Sequence, residues 1–391
     1  MNVEIYLLRN GANYMEFNYN LPVNIVFGRG KVNELGKETA KYGKKALIVT
    51  GRSSSRKSGL LDRAVELLAK EGIEGAIFNE VTRNPLISTV EEGARIANAE
   101  NCDVVVALGG GSIMDAAKAI ALMAVNEGDV REYMYGQKSS DKALPLILVP
   151  TTSGTGSEGN CYSVLTDDKN NDKKSLRTPA IYGKVSIVDP ELMVTMPKRV
   201  KASVIFDAAA HAMEAAVSKK RTPLSDAYAL YAMKLIADNA ENAVNDEEIN
   251  YEVWEKITLG SMLAGMAIGC SSCALPHALE HPASGLKNIV HGEGLAALTP
   301  AIVEASWESD PERYAAISAL LGGNSALDCV DSIRGFLKRI GLDVTLNDLG
   351  IEESDVDWMV ENAFKVSIGN INNHPKEFSK EEIREIYIKS L

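Results

Sequence analysis

Apolar positions in the first half of the chain follow two alternating rhythms. Short unbroken apolar runs at residues 46–50 (ALIVT), 75–78, 103–108 (DVVVAL) and 145–149 (PLILV) read as buried strands. Between them, residues 60–69, 88–99 and 112–124 repeat apolar positions at helical spacing. β-Branched runs separated by amphipathic helices predict a parallel sheet covered on both faces. Residues 14–27 read as extended chain outside that pattern. After about Met196 strand signals nearly vanish, and helices are expected over 202–218, 225–244, 251–269 and further segments up to Leu391. Pro190 and Pro197 mark the change. The expected fold class is α/β: a Rossmann-like dinucleotide-binding domain over 1–195, then an all-helical metal-binding and catalytic domain over 196–391. At 391 residues the chain is too long for one ordinary core.

Composition narrows the class. With 46% hydrophobic and 24% charged residues the chain is globular. A net charge of -12 argues against nucleic acid and anionic membranes as partners. The start, MNVEIYLLRNG, has no basic stretch followed by an apolar core, so no signal peptide is expected. Five cysteines without framework spacing suit a reducing cytoplasm. Residues 257–276 carry no charge and include the G-x-x-x-G of Gly265 and Gly269. Their many Gly, Ser and Cys residues favour a buried helix packed through small side chains over a membrane span.

Two glycine turns follow predicted strands. In ALGGGSIMDAAK, Gly109, Gly110 and Gly111 let the backbone approach a phosphate, and the helix starting near Ser112 turns its free N–H groups toward it. VPTTSGTGSEGN offers the hydroxyls of Thr151, Thr152, Ser153, Thr155 and Ser157. Both turns lie at carboxyl ends of strands, where parallel sheets bind ligands. Neither a G-x-S-x-G nor a P-loop spacing occurs, which excludes the usual serine hydrolase and ATPase sites.

Four of the five histidines lie close to an acid or to each other. Asp207 and His211 share a helix face, as do His277 and His281, because residues four apart are neighbours there. Asp207, His211, His277 and His291 offer one oxygen and three nitrogens, a set suited to Fe(II) or Zn(II) and too nitrogen-rich for Mg or Ca. Pro282 and Gly285 are expected to supply the turn between His277 and His291. Cys270 and Cys273, in C-S-S-C, read as small buried thiols of an apolar helix.

Taken together these motifs resemble the iron-containing (group III) alcohol dehydrogenases. The family's FGxG is Phe27, Gly28 and Gly30. Its GGGSxxDxAK covers residues 109–118, its PTTxGTGSE 150–158, its DPxL 189–192, its DAxxHAxE 207–214 and its HAxxHPxxG 277–285, with a closing HG at His291 and Gly292. The resemblance spans nearly the whole chain and implies a dehydroquinate synthase-like architecture. It implies that Asp207, His211, His277 and His291 bind metal, and that Gly110, Gly111 and Ser112 hold the pyrophosphate. Asp115, Thr151, Thr155 and Lys173 would line the ribose and nicotinamide side, with Lys174 adjoining. Asn84 would approach cofactor and substrate. His281 would lie near the nicotinamide without binding metal, and with Asp115 it is expected among the catalytic groups. The family usually has glycine where this chain has Ile205; Pro276 and Glu280 also depart, and these differences are expected to bear on the substrate side.

The implied activity is hydride transfer between C4 of a nicotinamide and a small primary alcohol or its aldehyde, with the metal as Lewis acid. A polyol enzyme resembling glycerol dehydrogenase is the alternative. A dehydroquinate synthase-like lyase or a silent nucleotide sensor fits the motifs less well. After the strand ending at Gly51 come Arg52, Ser53, Ser54, Ser55, Arg56 and Lys57, with no acid before Asp62. Hydroxyls and cations there suit a 2′-phosphate, so NADP(H) is expected over NAD(H). The apolar stretch VEIYLL near the start is expected to pair with a second chain as a homodimer.

Overall fold

The computed structural model describes residues 16–391; the VEIYLL stretch lies outside them. The chain forms two compact units. One comprises Leu21–Ser153 and Ser157–Met196, the other Gly154–Gly156 and Pro197–Leu391 together with residues 16–20.

The first unit carries eight strands: β1 (Asn24–Phe27), β2 (Lys45–Gly51), β3 (Glu74–Val81), β4 (Val104–Gly109), β5 (Leu146–Pro150), β6 (Tyr162–Asp167), β7 (Asp172–Arg177) and β8 (Val185–Val188). Six form one parallel sheet in the order β1-β8-β5-β4-β2-β3. The unbroken apolar runs follow from alternation, since successive side chains leave a strand on opposite faces. Leu47, Val49, Val105, Ala107 and Leu148 enter one core with α2 (Ile87–Ala99) and α3 (Gly111–Met123). Ala46, Ile48, Val104, Val106 and Val149 enter the other, against Leu61, Ala64 and Leu68 of α1 (Leu60–Lys70). The order turns between β2 and β4, so the chain runs outward in both directions from that point. This is the switch position at which open α/β sheets bind ligands.

β6 and β7 form a separate antiparallel hairpin that the apolar pattern does not signal. β7 reads DKKSLR, with a single large apolar residue, Leu176. Its turn is built from polar groups: the Asp167 carboxylate accepts from Lys169 N–H and Asn170 Nδ2, and Asn171 takes a left-handed φ of 57°.

The second unit contains no strand among the described residues. Its helices include α4 (Lys198–Val217), α5 (Pro223–Asn245), α6 (Tyr251–Ser271), α7 (Leu275–Lys287) and α8 (His291–Ser306). α6 matches the start of the buried, small-residue helix expected at 257–276 but ends at Ser271, and a short turn leads into α7. A Cβ on Gly265 would lie 2.2 Å from the Gly156 carbonyl oxygen, so bare backbone is required there. Gly292 is equally constrained, since its Cβ would come within 2.1 Å of Ser203 O on α4. No single helix is long and apolar enough to cross a membrane.

Pro282 and Gly285 do not make the expected turn. α7 runs through both and ends at Asn288, in the left-handed region at φ 51°. Every residue from Leu275 to Gly285 is buried, and that packing outweighs the local preference of proline to break a helix.

The fifth histidine, His374, is buried behind Tyr314, whose hydroxyl lies 3.4 Å from its Nε2. Burial, with Lys219 and Lys376 nearby, pushes His374 down to about 3. Unfolded, it takes up a proton near 6.5; folded, it does so only near 3. Between those values the unfolded chain binds more protons, so stability falls as pH drops through that window. His374→Gln should flatten this acid-side loss. Urea midpoints of both proteins measured across the window test it; parallel pH profiles would refute the assignment.

Candidate metal centre

Alanines at 208, 209, 210, 212, 215 and 216 of α4 are buried, which lets neighbouring helices approach closely. From that helix Asp207, His211 and Glu214 project on one face, at spacings of four and three. α7 adds His277, Glu280 and His281, and His291 opens α8. The Gly292–Ser203 contact brings the start of α8 onto α4 one turn before Asp207.

Asp207 Oδ1 is the hub. It lies 3.4 Å from His211 Nδ1, 3.6 Å from His277 Nε2 and 3.6 Å from His291 Nε2. All four predicted ligands therefore surround one carboxylate oxygen. Asp207, His211 and His277 are buried, while the His291 side chain is 24% exposed and gives the cluster its solvent side. Three buried atoms, Asp207 Oδ1, His211 Nδ1 and His277 Nε2, have no hydrogen-bond partner. Leaving such groups unsatisfied costs about 1–3 kcal/mol each, more where charge is involved. One divalent cation would satisfy all three, so the residues fit a metal of the Fe(II) or Zn(II) kind.

The charges agree. Burial alone would raise the Asp207 carboxyl, yet His211, His277 and His291 hold it well below the ordinary carboxylate range. Burial pushes His211 down to about 4 against the pull of Asp207. His277 goes the other way. Burial opposes its protonation, but Glu214 and Asp207 raise it to about 10. Two buried carboxylates flanking one imidazole draw positive charge to that point.

Two glutamates orient the rings. His277 Nδ1 donates to Glu214 Oε1, and His291 Nδ1 meets Glu280 Oε2. This leaves Nε2 of each ring turned toward Asp207. Carboxylate–histidine pairs of this form fix a ligand's tautomer and raise its basicity. Glu280 was expected to bear on the substrate side; its carboxylate contacts His291 at the start of α8. Glu214 stood in the quoted motif without a role. Its signal was its position one turn beyond His211. The C-S-S-C thiols also differ from expectation. Cys270 is on α6, but Cys273 lies in the α6–α7 turn, and its sulfur is grouped with His211 and His277 as donors within 4.8 Å of one another. His281 is buried, with its ring perpendicular to that of His277 at 6.1 Å, and belongs to neither donor group.

The two glycine turns lie at the carboxyl end of the sheet. Gly109 of β4 pairs in register with Pro150 of β5, and Thr151 N–H donates to Gly109 O at 3.1 Å. A Cβ on Gly110 would come within 2.8 Å of Thr152 Oγ1, so the two glycine turns touch. Gly110 precedes α3 without a side-chain cap, leaving Gly111 and Ser112 in its first turn. Gly51 ends β2. Ser53 is exposed, but Ser55 is buried with its hydroxyl 2.5 Å from Thr50 Oγ1, a structural contact. Asn84 is buried in the loop after β3 at φ 47°. Lys173 is buried on β7, and Thr155 belongs to the helical unit.

Asp115 was expected beside the cofactor. Its buried carboxylate accepts from Ser157 Oγ at 2.7 Å and Val164 N–H at 3.0 Å. One turn on, Lys118 is fully buried and donates to Ser157 O, Ser157 Oγ and Tyr162 O at 2.6–2.8 Å. Both charges are spent on holding the segment after β5 and the β6 strand. Lys118→Met should cost about 3 kcal/mol or more in urea unfolding, because it strands several buried acceptors and the Asp115 charge. An unchanged midpoint would show that the network carries little weight.

The chain is similar to known proteins along nearly all of its length. The family model for iron-containing alcohol dehydrogenase matches residues 22–190, and the C-terminal model of the same family matches 201–391. The 1,3-propanediol dehydrogenase of Klebsiella pneumoniae is 34% identical over 384 residues, covering 96% of this chain and 98% of that protein. The NAD-dependent methanol dehydrogenase of Bacillus methanolicus is 34% identical, covering 89% and 93%. Among solved structures, the archaeal alcohol dehydrogenase ADH/D1 from a Red Sea brine pool superposes with a TM-score of 0.93 at 36% identity, covering 97% of this chain and all of that one. With an α/β nucleotide-type sheet, an all-helical second unit and both family models matched in order, the chain belongs to the iron-containing alcohol dehydrogenases.

Proposed function

We propose that the chain reduces a small aldehyde, or oxidises the corresponding primary alcohol, with a nicotinamide cofactor and one divalent metal, iron by preference. The observation that carries this reading is the convergence of His211, His277 and His291 on Asp207 Oδ1; that oxygen, His211 Nδ1 and His277 Nε2 are buried and unpaired. These four residues would hold the metal. When bound, it would supply Lewis acidity, lowering the pKa of an alcohol and polarising a carbonyl.

The protein's share is positional. Glu214 and Glu280 keep the Nε2 atoms of His277 and His291 aimed inward. His281, one turn from His277 and outside both donor groups, is assigned to proton movement near the nicotinamide. The glycine turns after β4 and β5 would carry the pyrophosphate, and Asp115 and Lys118 fix the second turn from below. Relatives named for diol and methanol oxidation support a small alcohol as substrate. His277→Ala should lose bound metal and turnover while keeping its circular dichroism. Glu280→Gln should weaken metal binding about 10–100-fold. Elemental analysis and chelator competition read both, and full metal content in His277→Ala would overturn the assignment.

For the cofactor we favour NADP(H). β2 ends in Gly51, so no side-chain carboxylate stands where NAD enzymes hold a ribose. Arg52 is paired with Glu80 at 3.1 Å, which leaves exposed Ser53, Arg56 and Lys57 to meet a 2′-phosphate. A relative is named NAD-dependent, and this makes the point worth testing. A Cβ at Gly51 would meet nothing closer than 3.6 Å, so the position has room for a side chain to begin. Gly51→Asp and Ser53→Asp should each shift the ratio of kcat/KM values toward NAD(H) by about tenfold or more, since a carboxylate repels the 2′-phosphate. Equal efficiency of the unmodified enzyme with both cofactors would defeat the preference.

A further inference from the structure

Two overlapping donor groups occur in the helical unit. Asp207, His277 and His291 form one; His211, Cys273 and His277 form the other, and in each the ligand atoms all lie within 4.8 Å of one another. They share His277. The first is oxygen and nitrogen only. The second contains a sulfur.

We infer that His211, Cys273 and His277 form a thiolate-bearing site for zinc that competes with iron for the same histidines. The inference rests on the metal centre proposed above. Its chemistry is that of a Cys-His₂ set, which suits Zn(II) because thiolate is a soft ligand and a fourth tetrahedral position remains for water. Binding takes the thiol proton to solvent, as thiolate ligation requires. His211 Nδ1 and His277 Nε2 are both buried and unpaired, so each has a ligand direction to offer.

The thiol is placed by a built turn. Ser272 has φ 63° and ψ 165°, a region that side-chain-bearing residues avoid. Such a conformation persists only where the surroundings determine it, and they do. Asn373 Nδ2 donates to Ser271 O and to Cys273 O, each at 2.9 Å. Ser218 Oγ also donates to Ser271 O, at 2.8 Å. Ala274 N–H donates to Glu214 Oε2 at 2.6 Å, the same carboxylate that orients His277. The strained turn therefore registers Cys273 against a ligand histidine through one glutamate. Cys270, three residues earlier, is no substitute. It lies outside both donor groups, and burial pushes its thiol up to about 12.

The test uses full-length protein stripped of metal and reloaded with one metal at a time. Co(II) serves as the probe, since it takes tetrahedral zinc sites and a thiolate ligand gives it a near-ultraviolet charge-transfer band. The wild type and Cys270→Ser should show that band, and Cys273→Ser should lack it. Zn(II) affinity by chelator competition should fall in Cys273→Ser and Cys273→Ala by at least the roughly 10–100-fold typical of losing an outer-shell partner. Fe(II) affinity of both variants should stay within about threefold, which also shows that they fold. Zinc loading should exclude iron one for one. A wild type that binds Fe(II) but gives no thiolate band with Co(II), or equal Zn(II) affinity in Cys273→Ser, overturns this inference and leaves the iron centre standing. Failure to bind Fe(II) or Zn(II) at all would instead remove the metal centre itself.

Discussion

A buried carboxylate encircled by imidazoles is the constraint to which the helical unit is built. Asp207 Oδ1 has three histidine nitrogens within 3.6 Å and no hydrogen bond of its own. A charge so placed is costly unless a cation shares it. The packing around it makes sense as means of bringing ligands from three helices to that point. Small residues line α4, and Gly292 is bare so that α8 can start against Ser203. Glu214 links α4 both to His277 and to the backbone at Ala274.

The α/β unit solves a different problem with similar means. Its sheet is apolar on both faces, so the polar chemistry is confined to the strand ends. There the chain buries a lysine and an aspartate on one helix, and uses them to hold the segment after β5 and the hairpin strand β6. The charges are satisfied by backbone and hydroxyl partners, which is what allows Lys118 to be fully buried. The glycine turns can then be bare of side chains and still stay ordered.

Glu280, a departure from the family pattern, and Cys273 both lie beside the histidine cluster. The glutamate gives His291 a carboxylate partner of its own, beside the one that Glu214 gives His277. The cysteine adds a soft donor to a site otherwise made of oxygen and nitrogen. Glu280 lies one turn from His277 on the same helix, and Cys273 lies in the turn that leads into it.

Local pattern determined much of this protein. The runs ALIVT, DVVVAL and PLILV announced a parallel sheet because strands buried on both faces need apolar residues at every position. The i, i+4 pairing of Asp207 with His211 announced a shared ligand face because helix geometry alone sets it. The β6–β7 hairpin was not legible, since its second strand is polar and held by turn hydrogen bonds rather than by apolar period. Neither was the helix through Pro282, where burial overrode local preference. The partners of Asp115, Glu214, Glu280 and Cys273 were decided only in three dimensions. Each depends on contacts between segments distant in sequence, and a carboxylate or thiol carries no mark of which nitrogen or amide it will meet. Residue type supplied the donors; helix packing decided which of them face the same point.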